Sequence, residues 1–143
     1  PGSFEQTSFT FLGYTFAPRT VSNGRSGVFT AFAPAISDAA LKKISGEVRQ
    51  WRLHARTGYG LDELAARINP IIRGWLNYYG RYGRGKLMPL LKRINGYLVR
   101  WARKKYRRLA SFKRVKQWWD QLLGRCRGLF CHWTWTGTFV WIR

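Results

Sequence analysis

Three residues near the C-terminal end of the sequence could bind a metal ion or act as a nucleophile: Cys126, Cys131 and His132. Structural zinc needs four ligands at tighter, recurring spacing, and the only other histidine is His54. A Cys–His nucleophile pair needs an orienting acid, and adjacent residues seldom point at each other. The pattern favours cysteines packed in an aromatic segment, so we predict no metal site and no catalytic residue.

The acidic residues offer no pair of carboxylates at a useful spacing. Asp62 and Glu63 adjoin in the first turn of a predicted helix, where negative charge complements the helix dipole. The glycines at 80, 83 and 85 do not form a phosphate-binding loop of the P-loop type. A complete enzyme with a cryptic site stays an alternative, although the acids that would hold two metal ions are missing.

The positive charge is the strongest feature of the sequence. It holds 26 Lys and Arg against 6 Asp and Glu, a formal net charge of +20 at pH 7. Such a surplus repels itself unless an anionic partner neutralises it, and nucleic acid is the usual partner. Between Glu63 and Asp120 the 56 intervening residues hold 16 Lys or Arg and no acid. A solvated helix face normally alternates signs, so this run favours an anionic polymer, with an anionic membrane surface or generic DNA binding as the alternative.

Residues 7–36 are predicted to form strands that precede the helical part of the chain. β-formers recur between Phe9 and Phe16, and Pro18 is expected to end this first strand. Ser22-Asn23-Gly24-Arg25 is typical of a turn because Asn-Gly takes positive φ. Val28–Phe32 then predicts the returning strand of a β-hairpin, closed by Pro34.

The rest of the sequence predicts helices because apolar residues recur at three- and four-residue spacing. Ser37 is expected to cap the first helix, which Thr57-Gly58-Tyr59-Gly60 would end. Pro70 is expected to kink or split the second helix because it lacks an N–H donor, whereas Pro89 falls in the first turn of the third, where proline is tolerated. The predicted second, third and fourth helices span 61–82, 86–108 and 112–123, and an irregular aromatic tail follows from residue 124.

The third predicted helix separates an apolar arc from a basic one. Leu87, Leu91, Ile94, Leu98 and Trp101 form the first arc, and Lys86, Arg93, Arg100, Lys104 and Arg107 form the second. One side is therefore suited to a core and the other to phosphate. Tyrosines interleaved with the basic residues could stack on unpaired bases; we expect Tyr79 in the core and Tyr78 and Tyr82 more exposed. Composition leaves RNA and DNA open.

Four strings resemble the C-terminal part of bacterial group II intron-encoded reverse transcriptases with maturase function. FLGYTF at 11–16 looks like the end of reverse-transcriptase block 7, where the palm passes into the thumb. PAIS at 34–37 is similar to the start of the maturase-specific, or X, domain. INPIIRGWLNYYG at 68–80 is the most specific match, and LFCHW at 129–133 resembles a downstream element of the family. The resemblance covers residues 9 to 133.

The resemblance implies a helical thumb that binds intron RNA, assists splicing and positions the template–primer duplex in reverse transcription and retrohoming. Target DNA and the rest of a parent polypeptide are further implied partners, and no membrane is implied. The Tyr-x-Asp-Asp palm motif is absent from these residues, so we expect no catalytic residue and no cofactor here; Mg²⁺ is expected only in such a palm. The expected location is the bacterial cytoplasm, with association to the nucleoid during action on DNA.

Combined with the resemblance, the sequence predicts a mainly α fold with a β-hairpin, a three- to four-helix bundle and an irregular aromatic tail. We expect a tag remnant at 1–3, a β-hairpin at the palm–thumb junction at 4–36, the helical thumb or X domain at 37–110, and a basic aromatic segment that starts a DNA-binding region at 111–143. We expect DNA contacts from Lys113, Arg114 and Lys116. The expected RNA-binding residues are Arg49, Arg52, Arg56, Arg73, Asn77, Tyr78, Arg81, Arg93, Arg100, Lys104 and Arg107.

Overall fold

The computed structural model describes residues 9–11, 14–22, 28–81 and 84–141, with side chains described from residue 35 onward. The mainly helical fold that follows an N-terminal hairpin is confirmed. Residues 1–3, the Asn23-Gly24-Arg25 part of the expected turn and Tyr82 lie outside the described residues. The elements are β1 (Phe9–Phe11), β2 (Tyr14–Ser22), β3 (Val28–Ile36), α1 (Asp38–Trp51), α2 (Leu61–Tyr79), α3 (Met88–Lys105) and α4 (Phe112–Arg125), with 3₁₀ turns at Leu53–Ala55, Arg84–Lys86, Arg107–Leu109 and Cys131–Thr134.

The strands form an antiparallel sheet in the order β1-β2-β3. The expectation that Pro18 and Pro34 end their strands is wrong, because β2 continues to Ser22 and β3 to Ile36. Proline is tolerated where its missing N–H falls on an open edge. Among the described strands, β1 pairs only with 14–16, so the part of β2 that holds Pro18 has one side without a described partner. In the same part of the structure β3, which holds Pro34, pairs with β2 alone.

α1 begins as the sequence predicted but ends earlier. The hydroxyl oxygen of Ser37 accepts a hydrogen bond from the backbone N–H of Ala40 at 3.1 Å, which confirms the cap. The helix stops at Trp51, not at 57–60, because Arg52 adopts a left-handed backbone with φ of 50°. Arg52 and Arg56 therefore leave the helical face on which they were expected.

α2 is continuous through Pro70, so the expected split does not occur. Pro70 and Ala66 are both exposed, which leaves the carbonyl that lost its donor open to water. α2 ends at Tyr79, where Gly80 follows, and not at Tyr82.

α3 is shorter than predicted because a 3₁₀ turn flanks each end. Lys86 and Arg107 lie in these turns, Arg84–Lys86 and Arg107–Leu109, and not in the helix. Pro89 does fall in the first turn, as expected. The helical part of the basic arc is therefore limited to residues 93–104.

One hydrophobic core contains side chains of all four helices and of the residues after α4, 126–141, which we call the C-terminal segment. The apolar arc of α3 is buried as predicted, with Leu98 fully inaccessible. Trp51 of α1 stacks on Trp75 of α2, with ring centroids 5.5 Å apart. Phe130 and Trp133 are fully buried in the same core, so the tail is an integral layer despite its irregular backbone. Within the described residues no helix is long and apolar enough to cross a membrane.

Candidate nucleic-acid interface

Asn95 ties the C-terminal segment to α3 through four hydrogen bonds. Its side-chain oxygen accepts from Nε2 of His132 at 2.7 Å and from Nε1 of Trp133 at 3.0 Å. Its amide donates to the carbonyl oxygens of Thr136 at 3.2 Å and Thr138 at 3.1 Å. Asn95, His132 and Trp133 are all fully buried, so the bonds to His132, Trp133 and Thr136 form away from water, whereas the bond to the exposed Thr138 is partly buried. Because the oxygen of Asn95 only accepts, His132 carries its proton on Nε2.

Asn69 makes a second tie, between α2 and the same segment. Its amide donates to the carbonyl oxygen of Leu129 at 2.9 Å, and its side-chain oxygen accepts from the backbone N–H of Cys131 at 3.0 Å. Gly80 adds a close contact, since a Cβ there would overlap the ring of Trp135. The strings at 68–80 and 129–133 therefore bind each other, and their shared role in this structure is packing.

The side chains of Cys126, Cys131 and His132 do not come together at one site. Cys126 is exposed, whereas the thiol of Cys131 points at the carbonyl oxygen of Asn69, 3.6 Å away. Burial raises the pKa of the Cys131 thiol above its usual value, which keeps it protonated. Burial also lowers the pKa of His132 to about 3. Among the described residues no three His, Cys, Asp or Glu side chains are placed to hold a metal ion.

A line of basic residues runs along the outer side of α3. Arg93, Tyr97, Arg100 and Lys104 follow at spacings of four, three and four residues, which places them on one helical face. Arg93 and Lys104 are exposed, and Arg100 is half-buried. α3 contains no acidic residue from end to end. The face therefore carries uncompensated positive charge along the helix.

His54 connects this face to the turn after α1. Its ring stacks on Tyr97, with centroids 5.4 Å apart and planes inclined by 20°. The pKa of His54 is lowered by burial first, and then by the positive charges of Arg100, Lys104 and Arg52. These three cations therefore lie close enough to act on one imidazole. Three cations on this face of α3, together with Arg52 from the turn after α1, are called the α3 ridge below; the three are Arg93, Arg100 and Lys104.

A second basic group lies on α2. Arg73 and Asn77 are one turn apart and exposed, and Arg81 follows just past the end of the helix. Arg73 also lies near the C-terminal segment, because its charge acts on the thiol of Cys131. Tyr78 is 45% exposed and packs edge-on against Tyr79. None of these residues is among the cations that act on the pKa of His54.

The other expected RNA-binding residues are more dispersed. Arg49 lies on the last turn of α1, exposed and three residues before Arg52. Arg107 is exposed in the turn after α3. Arg56 donates from Nε to the carbonyl oxygen of Trp51 at 3.2 Å and lines a cleft between α1 and α2. The structure thus brings part of the expected set together around His54, and the role of every expected residue stays a prediction.

Three basic residues of the acid-free run make contacts within the fold, two with aromatic rings and one with backbone carbonyl oxygens. The guanidinium of Arg84 lies 3.9 Å from the ring centroid of Trp135, and that of Arg103 lies 4.0 Å from Trp141. Lys105 donates to the carbonyl oxygens of Thr57 and Tyr59. These contacts stabilise the fold and hold the three side chains against it, although each cation keeps its charge.

The three expected DNA-binding residues lie in the first turns of α4. Lys113 and Arg114 are exposed, and the backbone N–H of Arg114 caps onto the hydroxyl of Ser111 at 3.3 Å. Lys116 pairs with Asp120 at 2.8 Å, one turn further on. That ion pair offsets part of the charge of Lys116, and the DNA-binding role of all three residues stays a prediction.

Sequence reasoning missed the residues that fix the interface in place. The sequence alone could have indicated Asn95, because it lies four residues before Val99 and therefore on the buried side of α3. Asn69 and His54 had none, since their partners lie far away in the sequence or in a turn of irregular backbone.

Comparison with known proteins places most of the chain in one family model. The model described as "Group II intron, maturase-specific domain" matches residues 41–126. This range contains α2, α3 and α4 completely and most of α1. Neither the comparison with curated proteins nor that with solved structures gave a match.

Proposed function

The chain belongs to the group II intron maturase-specific domain family, and from this premise we propose that it binds intron RNA through the α3 ridge. The observation that carries the proposal is the line of cations Arg93, Arg100 and Lys104 along α3, a helix without a single acid. Arg52 adds a cation from the turn after α1, where the ring of His54 stacks on Tyr97. Phosphates that meet these side chains release counterions, which drives binding. Such contacts set register and affinity and carry no base identity.

The buried ties give this proposal its mechanism. Asn95 and Asn69 lock α3 and α2 to one C-terminal segment. The basic side chains therefore start from a fixed backbone, and less ordering is needed when RNA binds. In this proposal the domain assists splicing by holding the folded intron RNA, without a catalytic step or a cofactor of its own.

We propose two further polyanions for the same chain. A template–primer duplex presents the same phosphate charge as folded RNA, so the α3 ridge suits it equally. Target DNA is proposed to meet Lys113 and Arg114 on α4, with Lys116 weakened by its ion pair. Asn77 and Tyr78, exposed at the end of α2, are the proposed contacts beyond phosphate.

A double substitution tests the α3 ridge. Arg100→Gln with Lys104→Gln removes two cations of the ridge, of which Lys104 is exposed and Arg100 is half-buried. We expect RNA affinity to fall about tenfold or more near physiological salt. The negative slope of log K against log salt should become shallower by about 1.4–1.8, because two phosphate contacts are lost. Filter binding over a salt series measures both quantities, and thermal unfolding checks that the fold is intact.

Lys42→Gln with Lys43→Gln is the matched control, because it removes the same charge from exposed positions of α1. We expect a loss of less than about threefold there. Equal losses in both pairs would mean that net charge alone drives binding, and the ridge would be abandoned. Binding to anionic vesicles in flotation, without binding to RNA, would replace the proposal with a membrane-surface role.

A further inference from the structure

A cleft lies between the turn Arg107–Leu109 and the exposed face of α4. Its volume is about 320 Å³, within the range of ligand pockets. The lining residues are Arg108, Leu109, Arg114, Gln117, Trp118 and Gln121. No carboxylate lines it. None of the cations around His54 lines the cleft, and Arg114 is its only lining residue with a part in the proposed function.

The lining combines chemistry for a flat heterocycle with chemistry for an anion. Gln117 and Gln121 are exposed and one turn apart, so both amides reach the same side of α4. Trp118 and Leu109 supply the apolar walls, and an indole offers a face for stacking. Arg114, three residues before Gln117, adds a guanidinium on that same side.

The two arginines are held at the rim. Arg108 lies 5.4 Å from the ring centroid of Tyr106, which biases its orientation. The first turn of α4, which carries Arg114, is fixed by the Ser111 cap at 3.3 Å. Guanidinium groups in such positions bind phosphate oxygens through paired hydrogen bonds.

We infer that this cleft binds one unpaired adenine nucleotide of a nucleic-acid strand. A side-chain amide pairs with the N6 and N7 atoms of adenine, donating to one and accepting from the other. Arg108 and Arg114 then bind the flanking phosphate, and Trp118 contacts the base. The inference rests on the proposed binding of nucleic acid and adds to it a position where base identity is read.

The test compares single strands that differ at one position. A uridine-rich RNA strand with one central adenosine, and the same strand with a central abasic site, are titrated by fluorescence anisotropy; thymidine-rich DNA strands form a parallel pair. We expect the adenine strand to bind about tenfold more tightly than the abasic one in RNA, in DNA or in both. The pair that shows the preference identifies the source of the nucleotide.

Gln117→Leu with Gln121→Leu is expected to remove the preference while affinity for the abasic strand stays within about twofold, since no charge changes. Gln50→Leu, an exposed glutamine of α1, is the matched control and should keep the preference. Equal binding of adenine and abasic strands, or a preference that survives the double substitution, overturns the inference. Failure of the wild-type chain to bind any strand at low salt would overturn the proposed function as well.

Discussion

Replacing Asn95 with alanine removes the group that holds the C-terminal segment on α3. Four hydrogen bonds disappear together: two that Asn95 accepts, from His132 and Trp133, and two that it donates, to Thr136 and Thr138. His132 and Trp133 are fully buried, and Thr136 is 8% exposed. Their polar atoms therefore lose their partners where water cannot replace them.

The cost follows from those unpaired atoms. A buried donor or acceptor left without a partner costs about 1–3 kcal/mol. With two such donors and the Thr136 carbonyl affected, we expect the free energy of unfolding to fall by about 4 kcal/mol. That is a large share of the roughly 5–15 kcal/mol that a domain of this size has. Urea unfolding followed by tryptophan fluorescence measures the change.

Asn77→Ala provides the matched control, because Asn77 is exposed on α2. Its substitution should change stability by no more than about 0.5 kcal/mol. A loss below about 1 kcal/mol for Asn95→Ala would refute the reasoning, since it would mean that the segment is held without these bonds.

Two further predictions concern the same scaffold. Gly80→Ala should lower the free energy of unfolding by about 1–3 kcal/mol, because its Cβ would overlap Trp135. Gly74→Ala, with open space around it, should raise that free energy by about 0.5–1 kcal/mol. Thermal unfolding that showed both variants stabilised, or both destabilised, would contradict this pair of predictions. The pKa of His132 is about 3 when folded, against 6.5 for an ordinary histidine, so only the unfolded chain takes up the proton. The free energy of unfolding should therefore decrease as the pH falls below about 6.5, by up to about 1.4 kcal/mol per pH unit. Urea unfolding at several pH values measures this dependence between about pH 7 and 5. His132→Gln should weaken the dependence more than His54→Gln does.

The helices were predictable because their apolar stripes repeat along the chain. Leu91, Leu98 and Trp101 of α3 are buried as the spacing requires. Helix ends were less predictable, since the stop at Trp51 depends on the left-handed backbone of Arg52. No local pattern marks an arginine for that conformation.

The candidate site was predictable in its charge but not in its assembly. A run of cations without acids indicated a polyanion, and the sequence placed Arg93, Arg100 and Lys104 on one face. The approach of Arg52 depends on the packing of His54 against Tyr97, residues that lie in different elements. Likewise, only the three-dimensional fold shows that the aromatic tail belongs to the core.

The pKa of His54, followed by NMR with and without bound RNA, tests the α3 ridge most directly. Burial and the charges of Arg100, Lys104 and Arg52 lower this pKa in the free domain. Phosphates on those cations should raise it, by about one pH unit, and by linkage should strengthen RNA binding as the pH falls. His132 is the only other histidine in the sequence and serves as the internal reference. An RNA-bound domain whose His54 titrates as in the free state would contradict the account.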